Sequence, residues 1–188
     1  MTETTETAPA LTLAGDYQID PAHSRIGFTA RHAMVTKVRG QFGEFRGSAR
    51  IDDANPAGST TEIVIQAASF DSSQEQRDGH VRSEDFLNVE VYPEITFRST
   101  QVEKAGDDVW RITGDLTIRD VTAPVTVDFE FTGLAKDPFG NIRAGFEGST
   151  TISRKDYGIT FNAALETGGV LVSEKVGLEF DISAIKQA

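Results

Sequence analysis

The segment from Gln74 to Asn88 holds the residues whose types and spacing best fit a reactive or ligand-binding site. Arg77, Asp78 and His80 lie within four positions of one another. A guanidinium binds phosphate or carboxylate through paired hydrogen bonds, and an aspartate can orient a histidine that acts as a base. The three residues therefore fit a polar mouth for a ligand with an anionic head. Arg77 and Asp78 also fit a charged anchor that ties the segment to the rest of the fold, and the anchor is favoured for these two.

Recognisable catalytic motifs are missing from the sequence. It contains no Gly-x-Ser-x-Gly elbow, no glycine-rich phosphate loop before a helix and no His-Glu-x-x-His. Closeness in sequence is also not the geometry that acid–base chemistry requires. We predict no catalytic residue and no enzyme, and we keep a small hydrolase using His80 with Arg77 and Asp78 as an alternative.

The histidines do not have the spacing of a metal site. His23, His32 and His80 are the only three, and the chain has no cysteine. His23 and His32 are nine positions apart, so a regular strand turns them to opposite faces. We predict no metal and no cofactor, and we place His32 among the polar groups of the mouth. Arg154 joins that set, although its position before Tyr157 and Gly158 is more typical of a turn.

Alternating apolar residues predict the elements that position these side chains. Val125 to Phe131 alternates with polar residues, the period of a half-buried strand, and Trp110 to Ile118 and Val176 to Ile182 do the same. Weaker strands are predicted at residues 25–32, 38–51, 61–69, 93–102 and 143–153. The chain is therefore predicted to be all-β, an antiparallel barrel of about eight strands.

The polar segment interrupts this series as a short helical flap. Ser73 and Gln76 have the spacing of a capping box, and Ser83 is placed to cap a second short helix that carries Phe86 and Leu87. The apolar pair needs a surface to cover, so we expect the flap to close one end of the barrel.

Charge and length restrict the class of protein. The 188 residues carry a net charge of −11, which disfavours nucleic acid as a partner. Met1 to Ala14 lacks the basic start of an export signal, and no stretch is long and apolar enough to span a membrane. We predict a cytoplasmic protein with a disordered tail at residues 1–15 and a single domain at residues 16–188.

An ordered set of short motifs resembles the YceI-like polyisoprenoid-binding family over Tyr17 to Ile185. The motifs are Tyr17-Gln18-Ile19-Asp20-Pro21-Ala22-His23-Ser24, Gly40-Gln41-Phe42, Arg77-Asp78-Gly79-His80, Tyr92-Pro93, Gly114-Asp115-Leu116-Thr117-Ile118, Arg154-Lys155-Asp156-Tyr157-Gly158 and Val172-Ser173-Glu174-Lys175. The resemblance implies a lipocalin-like barrel whose apolar tunnel accepts an isoprenoid chain, and it implies a homodimer. Two departures are the missing export signal and Val81, where leucine is usual.

The predicted function is therefore binding of a polyisoprenoid lipid or isoprenoid quinone, for sequestration, storage or transport. Burial of about ten methylene groups at ~0.8 kcal/mol each contributes ~8 kcal/mol before ordering costs, so binding requires a long chain. The alternative from another class is a stress-related interaction module with a closed core. The candidate tunnel residues are Phe28, Phe42, Phe45, Phe86, Phe97, Leu116, Ile118, Phe129 and Phe146, and the candidate mouth residues are His32, Arg77, Asp78, His80 and Arg154.

Overall fold

Eleven β-strands and one α-helix are found in residues 10–188, the part of the chain that the computed structural model describes. Helix α1 spans Glu75–Arg82. The strands are β1 (Gly15–Ile19), β2 (Arg25–His32), β3 (Thr36–Phe42), β4 (Phe45–Ile51), β5 (Thr60–Gln66), β6 (Phe70–Asp71), β7 (Glu94–Lys104), β8 (Val109–Ile118), β9 (Val121–Lys136), β10 (Ile142–Ser153) and β11 (Lys175–Lys186).

Eight of these strands close a barrel. The pairing runs β1, β4, β5, β7, β8, β9, β10, β11 and back to β1, and every pair is antiparallel. Closure leaves the barrel no unpaired edge. The predicted all-β, eight-stranded antiparallel architecture is confirmed.

The three remaining strands lengthen the barrel wall at one end. Strand β2 pairs with β11 beyond the point where β1 does, β3 pairs with β2, and β6 pairs with β3. A short 3₁₀ turn at Pro21–His23 separates β1 from β2. The prediction of one strand over residues 38–51 is wrong, because the chain breaks at Gly43 and Glu44 into β3 and β4. Strand β1 was not predicted.

The strand register confirms the alternating patterns predicted in the second half of the chain. In the β8–β9 hairpin, Trp110 lies opposite Phe129 and Ile112 lies opposite Val127. Leu116 in the same hairpin lies opposite Ala123. Since successive residues of a strand point to opposite faces, these apolar side chains share the inner face of the barrel.

The barrel has a floor at the end away from the flap. A cluster of buried side chains fills it, which we call the floor cluster: Leu13, Tyr17, Val102, Trp110, Ala144 and Ala184. The Tyr17 hydroxyl donates a hydrogen bond to the Leu13 carbonyl at 2.7 Å. Packed structure therefore begins before the predicted tail boundary at residue 15, and residues 1–9 of that tail lie outside the described residues.

On the outer surface of the barrel, near the floor cluster, Arg143 forms a network of ion pairs. Arg143 on β10 donates from Nη1 to Asp20 at 2.7 Å and from Nε to Asp137 at 2.8 Å. It thereby ties the turn before β2 to the turn between β9 and β10. Among residues 10–188, no helix has the length and apolar character needed to cross a membrane.

Candidate functional site

A cavity of about 780 Å³ runs through the barrel from the floor cluster to the flap. Its wall on β8 includes Trp110, Ile112, Leu116 and Ile118. Trp110 and Ile118 stand eight positions apart on one strand, so the lined wall extends for roughly 27 Å along the strand direction. The cavity is therefore elongated, and the interpretation of the barrel as a closed core is wrong.

Glycines on the wall explain how a barrel rich in phenylalanine stays hollow. A Cβ atom at Gly114 would come within 2.5 Å of the Phe97 ring, and one at Gly148 within 2.8 Å of the Phe129 ring. Each ring thus occupies the place that a neighbouring side chain would fill. The rings lie along the wall, where they line the cavity and leave its axis open.

Eight of the nine predicted tunnel residues line this cavity: Phe28, Phe42, Phe86, Phe97, Leu116, Ile118, Phe129 and Phe146. Phe45 does not. It starts β4 opposite Ile65 and is buried in the core cluster on the flap side of the barrel. Periodicity gives Phe45 the correct inward face but does not distinguish a side chain that borders the cavity from one packed behind it.

The lining also includes apolar residues outside the predicted tunnel set. Trp110 was predicted to lie on the inner face of its strand, and the structure places it at the cavity floor. Phe161 lies in the irregular segment between β10 and β11, where no periodic pattern could reveal it. Its ring packs edge-on against Phe86, with the centroids 5.4 Å apart.

Helix α1 begins one residue later than the capping-box spacing of Ser73 and Gln76 predicts. Gln74 is the residue that caps α1, because its side-chain oxygen accepts the Arg77 N–H, whereas Ser73 has a positive φ of 61° outside the helix. Ser83 ends α1, and the residues after it form turns in place of the predicted second helix. These turns still bring Phe86 over the cavity, as expected of a closing flap.

Asp78 is an anchor of the flap and does not line the cavity. Its side chain is 4% exposed, and its carboxylate accepts the Ser72 N–H at 3.0 Å and the Ser72 hydroxyl. Burial alone would raise the pKa of Asp78, but the Ser72 hydrogen bonds and the charges of Arg82 and Arg77 outweigh it and lower the pKa. The assignment of Asp78 to the mouth is therefore wrong, and the anchoring role is correct.

Arg77 combines both predicted roles. Its Nε donates to the Ser72 hydroxyl at 2.7 Å and its Nη2 to the Ser72 carbonyl at 2.8 Å, which holds the side chain against the flap. The residue also lines the cavity. Among the described residues, its Nη1 makes no hydrogen bond, so that group is available to a ligand.

His80 borders the cavity but is not part of the Arg77–Asp78 network. Its Nε2 lies 2.9 Å from the Asp85 carboxylate, and its ring packs edge-on against Phe86 and Phe161. The carboxylate nearest to His80 is thus Asp85 on the exposed side of the flap. The hydrolase arrangement of His80 with Asp78 is not assembled.

Arg154 organises the segment between β10 and β11. Its side chain is 4% exposed and donates to the carbonyls of Ser173, Ile159, Phe161 and Val172 at 2.8–3.2 Å. Burial lowers the pKa of Arg154, and Glu174 partly offsets that effect. Arg154 borders the cavity, but four of its five guanidinium N–H groups donate to the main chain, so its contacts support the structural role and its place among the mouth groups stays a prediction.

His32 lines the cavity at the flap end, and its role toward a ligand stays a prediction. The residue ends β2, is exposed, and lines the cavity beside Arg31 and Thr36. Within residues 10–188, no three potential metal-binding side chains of histidine, aspartate or glutamate converge. The polar side chains that line the flap end of the cavity therefore include His32, Arg77 and His80, together with Arg31, Thr36, Gln74 and Gln76.

Comparison with known proteins gives consistent matches over nearly the whole described fold. The profile of the YceI-like domain matches residues 17–184. A UPF0312 protein of Ectopseudomonas mendocina is 40% identical over 177 residues, which are 93% of this chain and 90% of the relative.

Two solved structures share the fold at low sequence identity. BcnA of Burkholderia cenocepacia has a TM-score of 0.77 at 24% identity, covering 88% of this chain and 98% of its own. A polyisoprenoid binding domain from Saccharophagus degradans has a TM-score of 0.69 at 15% identity, covering 91% and 98%.

Proposed function

The chain belongs to the YceI-like domain family, and from that premise we propose that it binds a long-chain polyisoprenoid or isoprenoid quinone inside the barrel. The observation that carries the proposal is the elongated cavity of about 780 Å³, walled mainly by aliphatic and aromatic side chains from floor to flap. A flexible hydrocarbon chain fills such a volume without needing polar partners along its length. The polyisoprenoid binding domain from Saccharophagus degradans has the same fold, which supports this ligand class.

The open end of the cavity supports a polar head group on this ligand. Arg77 and His80 line the opening on the flap, and His32 lines it on the end of β2. A guanidinium and two imidazoles can donate hydrogen bonds to a diphosphate, a hydroxyl or a quinone oxygen. We therefore propose that the chain enters first, toward Trp110, and that the head stays at the flap.

Binding without chemical change is the proposed activity. The histidine at the opening has Asp85 as its carboxylate partner, and Asp78 is held by Ser72. A prenyl diphosphate incubated with the protein should therefore be recovered intact. Sequestration, storage or transport, a cytoplasmic location and a homodimer remain predictions that accompany this proposal.

The experiment uses the only tryptophan of the chain as a reporter. Trp110 lies at the cavity floor, so a chain that fills the cavity packs against the indole and changes its emission. Titration with a prenylated quinone should give a saturable change, whereas the same quinone ring without the chain should bind at least about 100-fold more weakly. Equal affinity for both compounds, or no saturation with either, would contradict the proposal.

A matched variant separates binding from its reporter. Trp110→Phe should lose the optical signal but still elute together with the prenylated quinone on gel filtration. Loss of co-elution in a folded W110F would mean that binding requires the indole ring and that Trp110 is more than a reporter.

A further inference from the structure

The hairpin that joins β2 to β3 has a charge balance opposite to that of the whole chain. The 23 residues from Pro21 to Gly43 contain no aspartate or glutamate, whereas the full chain has 29 acidic residues against 18 basic ones. The same segment holds four basic residues: Arg25, Arg31, Lys37 and Arg39. A local excess of positive charge in an acidic protein calls for a physical explanation.

By strand alternation three of these cations share the face of the hairpin opposite Ala30 and Val38, and one of them, Arg31, also borders the cavity. Arg31 lies opposite Lys37 in the β2–β3 register, and Arg39 lies opposite Thr29, two residues further along. All three cations are exposed, and within residues 10–188 none of them forms an ion pair, whereas Arg25 pairs with Glu179 at 3.3 Å. Like charges directly opposite on neighbouring strands destabilise a sheet. This row of cations, which we call the cationic hairpin (residues 31–39), is therefore not explained by stability.

The tip of the cationic hairpin exposes large apolar side chains. Met34 is 58% exposed and Val35 is 76% exposed. Ala33 and Met34 both have positive φ, 51° and 65°, and the turn is closed by the Val35 N–H, which donates to the His32 carbonyl at 3.1 Å. Asparagine and glycine suit such a turn better than alanine and methionine. The tip thus retains apolar residues at a cost in backbone strain.

A second loop extends this apolar tip. The Ala33 N–H donates to the Leu171 carbonyl at 2.7 Å, which holds residues 163–172 against the hairpin. Val170 in that loop is 37% exposed, and Glu166 is its one acidic residue. Leu171 also lines the cavity. The apolar tip therefore stands at the rim of the cavity opening.

We propose that the cationic hairpin docks on a lipid bilayer that carries anionic head groups, with Met34 and Val35 inserted at the interface. Arginine and lysine near an anionic surface each favour binding, and apolar tip residues enter the boundary between head groups and acyl chains. Docking in this orientation brings the cavity opening to the membrane, where an isoprenoid chain resides. The proposal goes beyond the proposed function, because docking requires no ligand in the cavity.

Two other occupants fit the surface less well. Nucleic acid would complement the cations but leave Met34 and Val35 exposed to water. A second copy of this chain, docked with twofold symmetry through the tip, would bring two cationic rows together. The combination of positive charge with an apolar tip is complementary to an anionic bilayer.

Flotation with lipid vesicles tests the proposal on the full chain. Vesicles of phosphatidylglycerol mixed with phosphatidylcholine should carry the protein, vesicles of phosphatidylcholine alone should carry much less, and added salt should weaken binding. Each neutralised cation should lower binding about fivefold, so the triple variant R31Q/K37Q/R39Q should lose roughly 100-fold.

A matched triple variant changes the net charge equally. R46Q/R98Q/R111Q removes exposed arginines that are paired with acidic residues elsewhere on the barrel, and it should bind vesicles like the wild type. Glu166→Gln should strengthen binding. Met34→Asn suits the positive φ of the turn, so it should keep the fold while weakening vesicle binding.

Several results would overturn the proposal. These are equal binding to both kinds of vesicle, unchanged binding by R31Q/K37Q/R39Q, and a change of oligomeric mass in M34N, which would assign the tip to a second copy of the chain. The tryptophan titration without vesicles keeps the two proposals separate. A protein that takes up the prenylated quinone but ignores vesicles refutes docking alone, and one that binds vesicles but not the quinone refutes the cavity function alone.

Discussion

The Asp78 carboxylate accepts both the main-chain N–H and the hydroxyl of Ser72, and this pair fixes the flap to the strand that precedes it. The first contact joins α1 to the residue directly after β6. Arg77 reaches the same serine from the adjacent position. Ser72 thus forms hydrogen bonds with the side chains of two consecutive flap residues. These bonds explain why a helix of only eight residues stays in place over the cavity.

Replacement of Asp78 by asparagine should loosen the flap. The amide loses the charge that attracts Arg77 and Arg82 and leaves a buried hydrogen-bond donor unsatisfied, at a cost of about 1–3 kcal/mol in the free energy of unfolding. Urea denaturation measures the loss, and hydrogen exchange should locate it in Glu75–Arg82. Asp85→Asn, on the exposed side of the same flap, should change stability by less than about 0.5 kcal/mol. Equal effects of the two variants would contradict the anchor.

Replacement of Arg154 by lysine should open the segment between β10 and β11. A lysine ammonium cannot reach four separate carbonyls in the planar arrangement of a guanidinium, so buried acceptors lose their donors. We expect a loss of at least about 2 kcal/mol in stability and faster amide exchange in residues 159–173. Lys155→Met, one position away on the surface, is the control. Unchanged exchange in Arg154→Lys would show that the carbonyls are held by other contacts.

Shortening the cavity should discriminate between ligands by chain length. Ile112→Phe places a ring one inward position above Trp110 and displaces one or two methylene groups of a bound chain. Each displaced methylene group costs about 0.8 kcal/mol of binding free energy. The variant should therefore lose roughly four- to fifteenfold in affinity for a chain that fills the cavity. A shorter prenyl chain should bind as before. Val64→Phe, outside the cavity lining on β5, controls for added bulk.

Stability should fall in acid as Asp137 is protonated. Partial burial would raise its pKa, but hydrogen bonds from Arg143, Asn141 and the Phe139 N–H lower it from 3.8 to about 2. A carboxylate with a depressed folded-state pKa stabilises the protein above pH 4 and loses that contribution as the pH falls toward 2. Asp137→Asn should therefore reduce the acid dependence of stability in this range. Asp107→Asn, in the exposed β7–β8 turn, should retain the wild-type dependence.

Much of the fold follows from sequence pattern because closure of a barrel gives every strand one buried face. That pattern is strong in β8 and β9, whose inward residues alternate without interruption. It is weak in β1, which is five residues long, and at Gly43 and Glu44, where the break between β3 and β4 looks like an ordinary continuation. Where a strand ends and the next begins depends on pairing with strands that are distant in the chain. The periodicity of a single segment contains no information about those partners.

The apolar and the charged residues of the site differ in how far the sequence predicts them, for the same physical reason. Sequence pattern identifies the apolar lining well, since inward apolar side chains either line the cavity or pack behind it. Among the predicted tunnel residues, only Phe45 packs behind the cavity. Sequence pattern identifies the roles of charged residues less well. Asp78 and Arg154 carry the groups expected of a ligand-binding mouth, but both are buried by hydrogen bonds whose partners the sequence does not reveal.

If the barrel holds an isoprenoid chain, the lipid should leave with the protein, and native mass spectrometry of protein purified without detergent would detect it. We expect a stoichiometric adduct that organic extraction releases as an intact prenyl lipid, with a chain long enough to reach from the flap to Trp110. A protein that carries no such lipid and also fails to take up added prenyl lipids would show that the barrel does not bind isoprenoids.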